Sequence, residues 1–163
     1  MSTTTLHLAK QNFKFSAAHF LIFDADRAER LHGHNYQVKV DIQTPPQAEL
    51  HADGYFLDFN VFKKYIKACL DQWDEFILLP EKQADMKFKR NEKSLEVNFR
   101  DRFYVFPANE VVLLPVTNTS VEQLSRLLAE KFFNEFKQYG VLSLTVYVEE
   151  TPGQGASSVV ASK

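Results

Sequence analysis

The sequence predicts an α+β fold in which antiparallel strands are covered on one face by two amphipathic helices. Residues 11–19 and 32–42 alternate between apolar and polar side chains, as half-buried strands do. Two later segments carry apolar residues at helical spacing. The order β-β-α, further β, α, β places the strands in a sheet with the helices packed against it.

The first two predicted strands bring three histidines together. In residues 11–19, the alternate apolar positions continue into His19 at the strand end. One face of residues 32–42 consists of His32, His34, Tyr36, Val38, Val40 and Ile42. Because residues i and i+2 of a strand project to the same side, a hairpin of these strands would cluster the three imidazoles.

A cluster of three imidazoles suits a catalytic zinc ion. Three neutral nitrogen ligands leave a fourth tetrahedral position open. The chain has one cysteine, Cys69, so a thiolate-rich structural site is excluded. The alternative is that His32 and His34 form an exposed strand pair without metal. His7 and His51 occupy polar contexts and are predicted to lie on the surface.

Two helices are predicted from apolar stripes. The first begins after Asp58 as its N-cap, and its stripe comprises Phe59, Phe62, Ile66, Cys69, Leu70 and Trp73. Residues 119–122 have the form of a capping box that opens the second helix, which ends at Gly140. The stripe of the second helix comprises Val121, Leu124, Leu128, Phe132 and Phe136.

The remaining segments complete the expected order. Residues 81–94 are strongly charged and are predicted to form a solvated loop or β-excursion. Strands are predicted at 95–106 and 111–114, and a final strand at 142–148 ends in two glutamates. The small and polar residues of about 153–163 are predicted to form a mobile tail.

Composition predicts a cytoplasmic globular protein with a single domain spanning 1–163. The chain is 45% hydrophobic and 25% charged, with a net charge of −2, which gives no electrostatic reason to expect nucleic acid or an anionic membrane as partner. No signal peptide or membrane-spanning stretch is recognised, and the single cysteine fits a reducing compartment. The uncovered sheet face and sheet edges predict assembly into a homo-oligomer.

Several motifs occur in the order found in one enzyme family. They are Phe15-Ser-Ala-Ala-His19, Leu31-His-Gly-His-Asn-Tyr36, Gly54-Tyr-Phe-Leu-Asp58-Phe59, Thr119-Ser-Val-Glu122-Gln123 and Val148-Glu149-Glu150-Thr151-Pro152. Over about residues 11–156 the chain resembles the 6-pyruvoyltetrahydropterin synthase and 6-carboxytetrahydropterin synthase (QueD-type) family. The resemblance implies a T-fold subunit, usually assembled as a hexamer of two trimers. It also implies a small-molecule pterin substrate and Zn²⁺ on His19, His32 and His34.

The resemblance further implies that Glu150 anchors the pterin ring. Glu150 shares parity with the apolar residues of its strand, and a carboxylate can accept two hydrogen bonds from a 2-amino-4-oxo ring. The alternative is an exposed acid at a strand end. Ser120, at a helix start, could offer its hydroxyl to a polar ligand or serve only as a cap.

The chain departs from the family at two catalytic positions. QueD-type members place a cysteine four residues before the first histidine of His-x-His, and that position is Ala28. The Asp-His pair that activates the cysteine corresponds to Asp74 followed by Glu75. Glu29 resembles a family branch in which a glutamate replaces the cysteine and side-chain cleavage yields 6-hydroxymethylpterin. Cys69, on the first helical stripe, is predicted to be a buried core thiol.

The leading hypothesis is a zinc-dependent lyase-type conversion of dihydroneopterin or its triphosphate. Glu29 is the favoured general base, although it could instead be a solvated loop acid. Asp74 and Glu75 are alternatives, either as bases or as a carboxylate pair, unless they are only helix-end charges. Three rivals are the ordinary family reaction with a carboxylate in place of the cysteine, a non-catalytic metal- and pterin-binding protein, and a member with a different substrate.

Overall fold

The computed structural model describes residues 3–46 and 50–162. Within these ranges the helices are α1 (Phe59–Asp71) and α2 (Val121–Phe136). The strands are β1 (Thr5–Leu8), β2 (Lys14–His19), β3 (His32–Gln43), β4 (Phe76–Pro80), β5 (Met86–Arg90), β6 (Ser94–Phe99), β7 (Arg102–Pro107), β8 (Val111–Leu114), β9 (Ser143–Thr151) and β10 (Gln154–Ala161). The predicted α+β class is confirmed.

The main sheet has the strand order β10-β9-β3-β2-β4-β8, and β1 pairs with the far end of β3. The pairings β2–β3, β3–β9 and β9–β10 are antiparallel, as predicted. However, β4 runs parallel to both of its neighbours, so the sheet is mixed rather than purely antiparallel. A crossover through α1 joins β3 to the far side of β2, and this connection leaves β4 parallel to β2.

Both helices cover one face of the main sheet. Asp58 caps α1 and Ser120 caps α2 through side-chain acceptors, and Gly140 closes the helical region in a left-handed conformation. The core joins the helical stripes to alternate residues of the strands, including Phe62, Ile66, Leu70, Leu128, Phe132, Phe136, Val38, Val40, Val146 and Val148. The three histidines share the parity of this covered face and therefore lie at the end of the core.

The predicted mobile tail is wrong for most of its length, because Gln154–Ala161 forms β10 along β9. Gly155 permits this pairing, since a Cβ there would lie 2.3 Å from the Val148 carbonyl oxygen. A hydrogen bond also joins β10 to α2, since the hydroxyl of Ser158 in β10 lies 2.8 Å from that of Ser125 in α2. Lys163, the last residue of the predicted tail, lies outside the described residues.

The charged residues 81–94 lead into a three-stranded sheet, β5-β6-β7, which is separate from the main sheet. Its buried side chains form a second apolar cluster with Phe20 and Leu79. Three partly buried residues that precede the His-x-His motif, Ile22, Ala28 and Leu31, pack against this cluster. The excursion therefore supports the chain segment between the first and second histidine.

Candidate metal centre and active site

Three histidines converge at one end of the covered sheet face. In the β2–β3 ladder, His19 lies directly opposite His32, and Ala17 lies opposite His34. One nitrogen from each of the three imidazoles lies within 4.8 Å of the others. His19 is fully buried, whereas His32 and His34 are partly buried. The hairpin predicted from parity therefore assembles a group that could hold a metal ion.

Main-chain carbonyls orient two of the rings. Nδ1 of His19 lies 3.0 Å from the carbonyl oxygen of Thr119, and Nδ1 of His32 lies 2.7 Å from that of Arg30. A carbonyl oxygen only accepts, so each Nδ1 carries the proton and each Nε2 presents a lone pair. This arrangement is typical of metal-binding histidines, whose second nitrogen is held by an outer acceptor.

One nitrogen of each ring faces the other two rings in the cluster. His19 Nε2 is buried and has no hydrogen-bond partner among the described residues, while Nε2 atoms of His32 and His34 are 2.9 Å apart. Burial lowers the pKa of His19 to about 4, with a smaller contribution from the neighbouring imidazoles. A neutral imidazole with an unpartnered buried lone pair fits a metal ligand.

Glu29 lies at the rim of the histidine cluster. Its Oε2 accepts a hydrogen bond of 3.0 Å from the Leu21 N–H and lies 3.7 Å from His32 Nε2. The Glu29 N–H in turn donates to the Leu21 carbonyl at 2.8 Å. These two bonds fix the carboxylate toward the imidazoles, and its side chain retains 30% exposure, which leaves one side open to a ligand.

Glu150 reaches the cluster from β9. Its Oε2 lies 3.9 Å from His34 Nε2, and its side chain is only 12% exposed. The Gln154 amide donates to Oε1 at 3.0 Å. The adjacent Glu149 projects to the opposite face, where it lies 3.5 Å from Lys39 Nζ. Glu150 thus points inward, as its parity indicates.

Tyr36 lies beside the histidine cluster, although its sequence pattern predicted only a place on the apolar face of β3. Its ring stacks on Phe15 at 4.6 Å and lies 5.8 Å from the rings of both His19 and His34. The buried hydroxyl has no hydrogen-bond partner among the described residues. Burial raises its pKa, and Glu150 contributes further, so the group remains a protonated donor. Its parity with the histidines was the available signal.

Replacing Tyr36 with phenylalanine is expected to leave the stability of the metal-free protein unchanged or raise it by about 1 kcal/mol, because the substitution removes an unsatisfied buried hydroxyl without changing shape. Urea denaturation measures this. The control is Tyr147→Phe, since the Tyr147 hydroxyl is bonded to Asp41 Oδ2 at 3.1 Å, and its loss should lower stability slightly. A larger loss for Tyr36→Phe than for the control would contradict the prediction.

Comparison with known proteins identifies the family. The sequence profile described as 6-pyruvoyl tetrahydropterin synthase matches residues 8–159. The chain belongs to this family. A relative from Methanocaldococcus jannaschii, provisionally named 6-carboxy-5,6,7,8-tetrahydropterin synthase, is 29% identical over 147 residues, covering 88% of this chain and 87% of the relative.

Solved structures of the 6-pyruvoyl tetrahydropterin synthase family share the fold. The enzyme from Plasmodium vivax superposes with a TM-score of 0.89 at 25% identity, covering 99% of this chain and 100% of that chain. The Plasmodium falciparum enzyme gives the same TM-score and coverage at 24% identity. The T-fold implied by the motifs is therefore confirmed. The family and its relatives make this chain a lyase of the 6-pyruvoyltetrahydropterin synthase type, with its reaction left open.

The family's cysteine chemistry is missing from this centre. Ala28 occupies the expected cysteine position, and the only cysteine, Cys69, is buried in α1. Burial raises the pKa of the Cys69 thiol, which opposes formation of a thiolate. The prediction of a buried core thiol is confirmed.

Asp74 and Glu75 do not join the histidines of their own chain. Asp74 Oδ1 accepts the Ser16 N–H at 2.7 Å, and the Glu75 N–H donates to the Ser16 carbonyl at 2.7 Å. Glu75 has a φ of 65°. It lines a shallow pocket with Ser16, Gly33 and Asn35, which have the opposite parity to the histidines, and with His34. The two acids lie in the turn before β4, where both hydrogen-bond to the main chain of Ser16.

The Ser120 side chain caps the N-terminus of α2. Its Oγ accepts the Gln123 N–H at 3.4 Å, so the cap lies one residue later than the predicted box that began at Thr119. Thr119 instead supplies the carbonyl that orients His19. The helix start thus supports the metal centre through Thr119, while the predicted contact of Ser120 with a substrate stays a prediction.

Within residues 3–46 and 50–162, neither α1 nor α2, nor any other helix, combines the length and apolar character needed to cross a bilayer.

Proposed function

We propose that this chain is a zinc-dependent lyase that acts on a reduced pterin, dihydroneopterin or its triphosphate. The convergence of three imidazoles with Glu29 and Glu150 carries the proposal. The two carboxylates approach the cluster from different chain segments, Glu29 beside His32 and Glu150 beside His34. We expect this activity in the cytoplasm.

The residues present fit zinc. Three histidines with an open fourth position are the ligand set of a catalytic zinc site, and the carbonyls of Thr119 and Arg30 hold two of the rings by their Nδ1 atoms. When bound, zinc would act as a Lewis acid toward the oxygen atoms of the pterin side chain. His19, whose Nε2 is buried without a partner, would be the ligand most removed from solvent.

Glu29 would move the proton. Its carboxylate would take a proton from a side-chain hydroxyl of the substrate as the adjacent carbon–carbon bond breaks, and the protonated Glu29 would return that proton to the carbon left on the pterin. The Leu21 N–H occupies only one acceptor position of Oε2. A glutamate is described as a catalytic residue in the Plasmodium vivax enzyme, which is a precedent for a carboxylate in this fold.

Glu150 would anchor the pterin ring. Replacing Glu150 with glutamine is expected to weaken pterin binding about 10- to 100-fold, because hydrogen bonds to a charged acceptor contribute about 1.5–3 kcal/mol. Isothermal titration with dihydroneopterin measures this. Glu149→Gln is the matched control, since Glu149 lies on the opposite face beside Lys39. Equal affinity in the two variants would remove Glu150 from this role.

The active form would be a homo-oligomer, a hexamer of two trimers. The main sheet ends at β10 and β8, whose outer edges are available for pairing between copies. Within one chain, Asp74 and Glu75 lie in the turn before β4, bonded to the main chain of Ser16. These acids could instead approach the metal centre of a neighbouring copy. Analytical ultracentrifugation tests the assembly.

The proposed function is tested by product analysis. Zinc-loaded protein is incubated with dihydroneopterin and, separately, with dihydroneopterin triphosphate, and the products are identified by mass spectrometry. Cleavage to a 6-hydroxymethylpterin supports the proposal. A 6-pyruvoyl or 6-carboxy product would instead indicate the ordinary family reaction with a carboxylate in place of the cysteine. Tight pterin binding without turnover would indicate a non-catalytic binding protein, the alternative that Ala28 and Glu75 favour.

A further inference from the structure

Glu29 belongs to a short hairpin-like segment between the first and second histidine, residues 20–31, named here the Glu29 segment. Ile22 and Ala28 form an antiparallel bridge, and Glu29 and Leu21 exchange hydrogen bonds through the Glu29 N–H and carboxylate. The segment contains no helix and no strand of the main sheet. Its position relative to the imidazoles therefore depends on what surrounds it.

Arg102, at the start of β7, contacts the outer side of this segment. Its Nη2 donates to the Ala28 carbonyl at 3.1 Å, and its Nη1 donates to the Glu29 carbonyl. The guanidinium lies 5.8 Å from the ring centres of both Phe20 and Phe99. One side chain thus binds two consecutive carbonyls, and two aromatic rings hold its planar group in place.

A second arginine of the same hairpin holds the turn of the segment. Arg100 Nη2 donates to the Asp24 carbonyl at 2.6 Å, while the same guanidinium is paired with Asp85. Phe20 packs on Phe99 at a ring distance of 5.3 Å. The β6–β7 hairpin therefore fixes the Glu29 segment by two arginines and by a shared apolar cluster.

We propose that Arg102 is a positioning residue for Glu29. In this proposal the β5-β6-β7 sheet holds the Glu29 carboxylate against the histidine cluster. This inference rests on the proposed role of Glu29 as the base. Arg102 contacts the main chain of Glu29 and not its carboxylate, so it acts through the backbone. Loss of the two hydrogen bonds would let Ala28 and Glu29 move away from His32, whose main chain stays paired with His19 in the β2–β3 ladder.

The test compares Arg102→Met with Arg90→Met. Arg90 lies in the same small sheet and also donates to a main-chain carbonyl, that of Ala108 at 3.3 Å, which makes it a matched control. Hydrogen exchange followed by mass spectrometry should show faster exchange of residues 20–31 in Arg102→Met, by about tenfold or more, because each lost bond came from a charged donor. The control should leave exchange there unchanged.

Kinetics of the zinc-loaded protein supply the second measurement. Arg102→Met is expected to lower kcat about 10- to 100-fold with KM unchanged, the effect of a displaced reacting group. In a Glu29→Gln background the same substitution should cause no additional loss, because Arg102 acts only through Glu29. Arg102→Lys keeps one charged donor and should therefore have a higher kcat than Arg102→Met. If Arg102→Met does not fold, Arg102→Lys takes its place in both measurements.

The outcomes separate this inference from the proposed function. If Glu29→Gln is as active as the unsubstituted protein, Glu29 is not the base and the proposed function fails at that residue. If Glu29→Gln is impaired but Arg102→Met behaves like Arg90→Met, the proposed function stands and the positioning role is wrong. A further loss when Arg102→Met is added to Glu29→Gln also overturns the positioning role.

Discussion

Replacing His19 with alanine is expected to abolish metal binding and turnover together. His19 is the fully buried member of the cluster, and its Nε2 has no hydrogen-bond partner within residues 3–46 and 50–162. After the substitution only two of the three nitrogen ligands remain, and both belong to partly exposed imidazoles. Because loss of an outer partner alone costs about 10- to 100-fold in metal affinity, loss of this ligand should cost more than about 100-fold.

Metal content by mass spectrometry after dialysis, together with turnover of dihydroneopterin, measures the effect. His7→Ala is the control, because His7 is an exposed histidine paired with Asp41 on the sheet surface. His34→Ala, at a partly buried ligand, gives a second route if the cavity at His19 impairs folding. Full metal content and activity in both His19→Ala and His34→Ala would disprove the metal centre.

Replacing Glu29 with glutamine is expected to lower kcat by about 10²- to 10⁴-fold, the usual contribution of general base catalysis. The substitution preserves shape, and the amide oxygen can still accept the Leu21 N–H that Oε2 accepts at 3.0 Å. The pterin affinity and the zinc content should therefore stay close to those of the unsubstituted protein. Steady-state kinetics with direct binding measurements separates the two effects.

The matched variants are Asp74→Asn and Glu75→Gln, which change the other two candidate acids. Both hydrogen-bond to the main chain of Ser16 in the turn before β4, so neither should alter a reaction performed by one copy alone. A loss of kcat in Glu75→Gln with no loss in Glu29→Gln would assign the base to a neighbouring copy. A concentration-dependent specific activity would accompany that result.

The prediction of a histidine cluster rests on local geometry, because alternation assigns His19, His32 and His34 to one face of a hairpin. The register that sets His19 opposite His32 comes from the structure and not from the alternation. The stripes of α1 and α2 follow from the helical period. The inward orientation of Glu150 agrees with both its parity and the family resemblance, and its side chain is 12% exposed.

Other elements depend on distant partners and left little local signal. Strand β4 has the continuous apolar run Phe76–Pro80, which has no period, and its parallel pairing requires the α1 crossover. The small residues of Gln154–Ala161 read as a tail, but the β9 ladder and α2 order them. Arg102 is a single charge in a charged region, and only the tertiary structure brings it to Ala28.

The direct opposition of His19 and His32 also has a consequence for folding. Their strands are neighbours in sequence as well as in the sheet, so closing this hairpin costs little chain entropy, whereas the Thr119 carbonyl must return across 100 residues. A slip of one residue would turn His32 and His34 to the opposite face of the sheet. The capacity to bind a metal ion therefore belongs to one register of the hairpin, and metal present during synthesis would favour the native alignment over the misaligned ones.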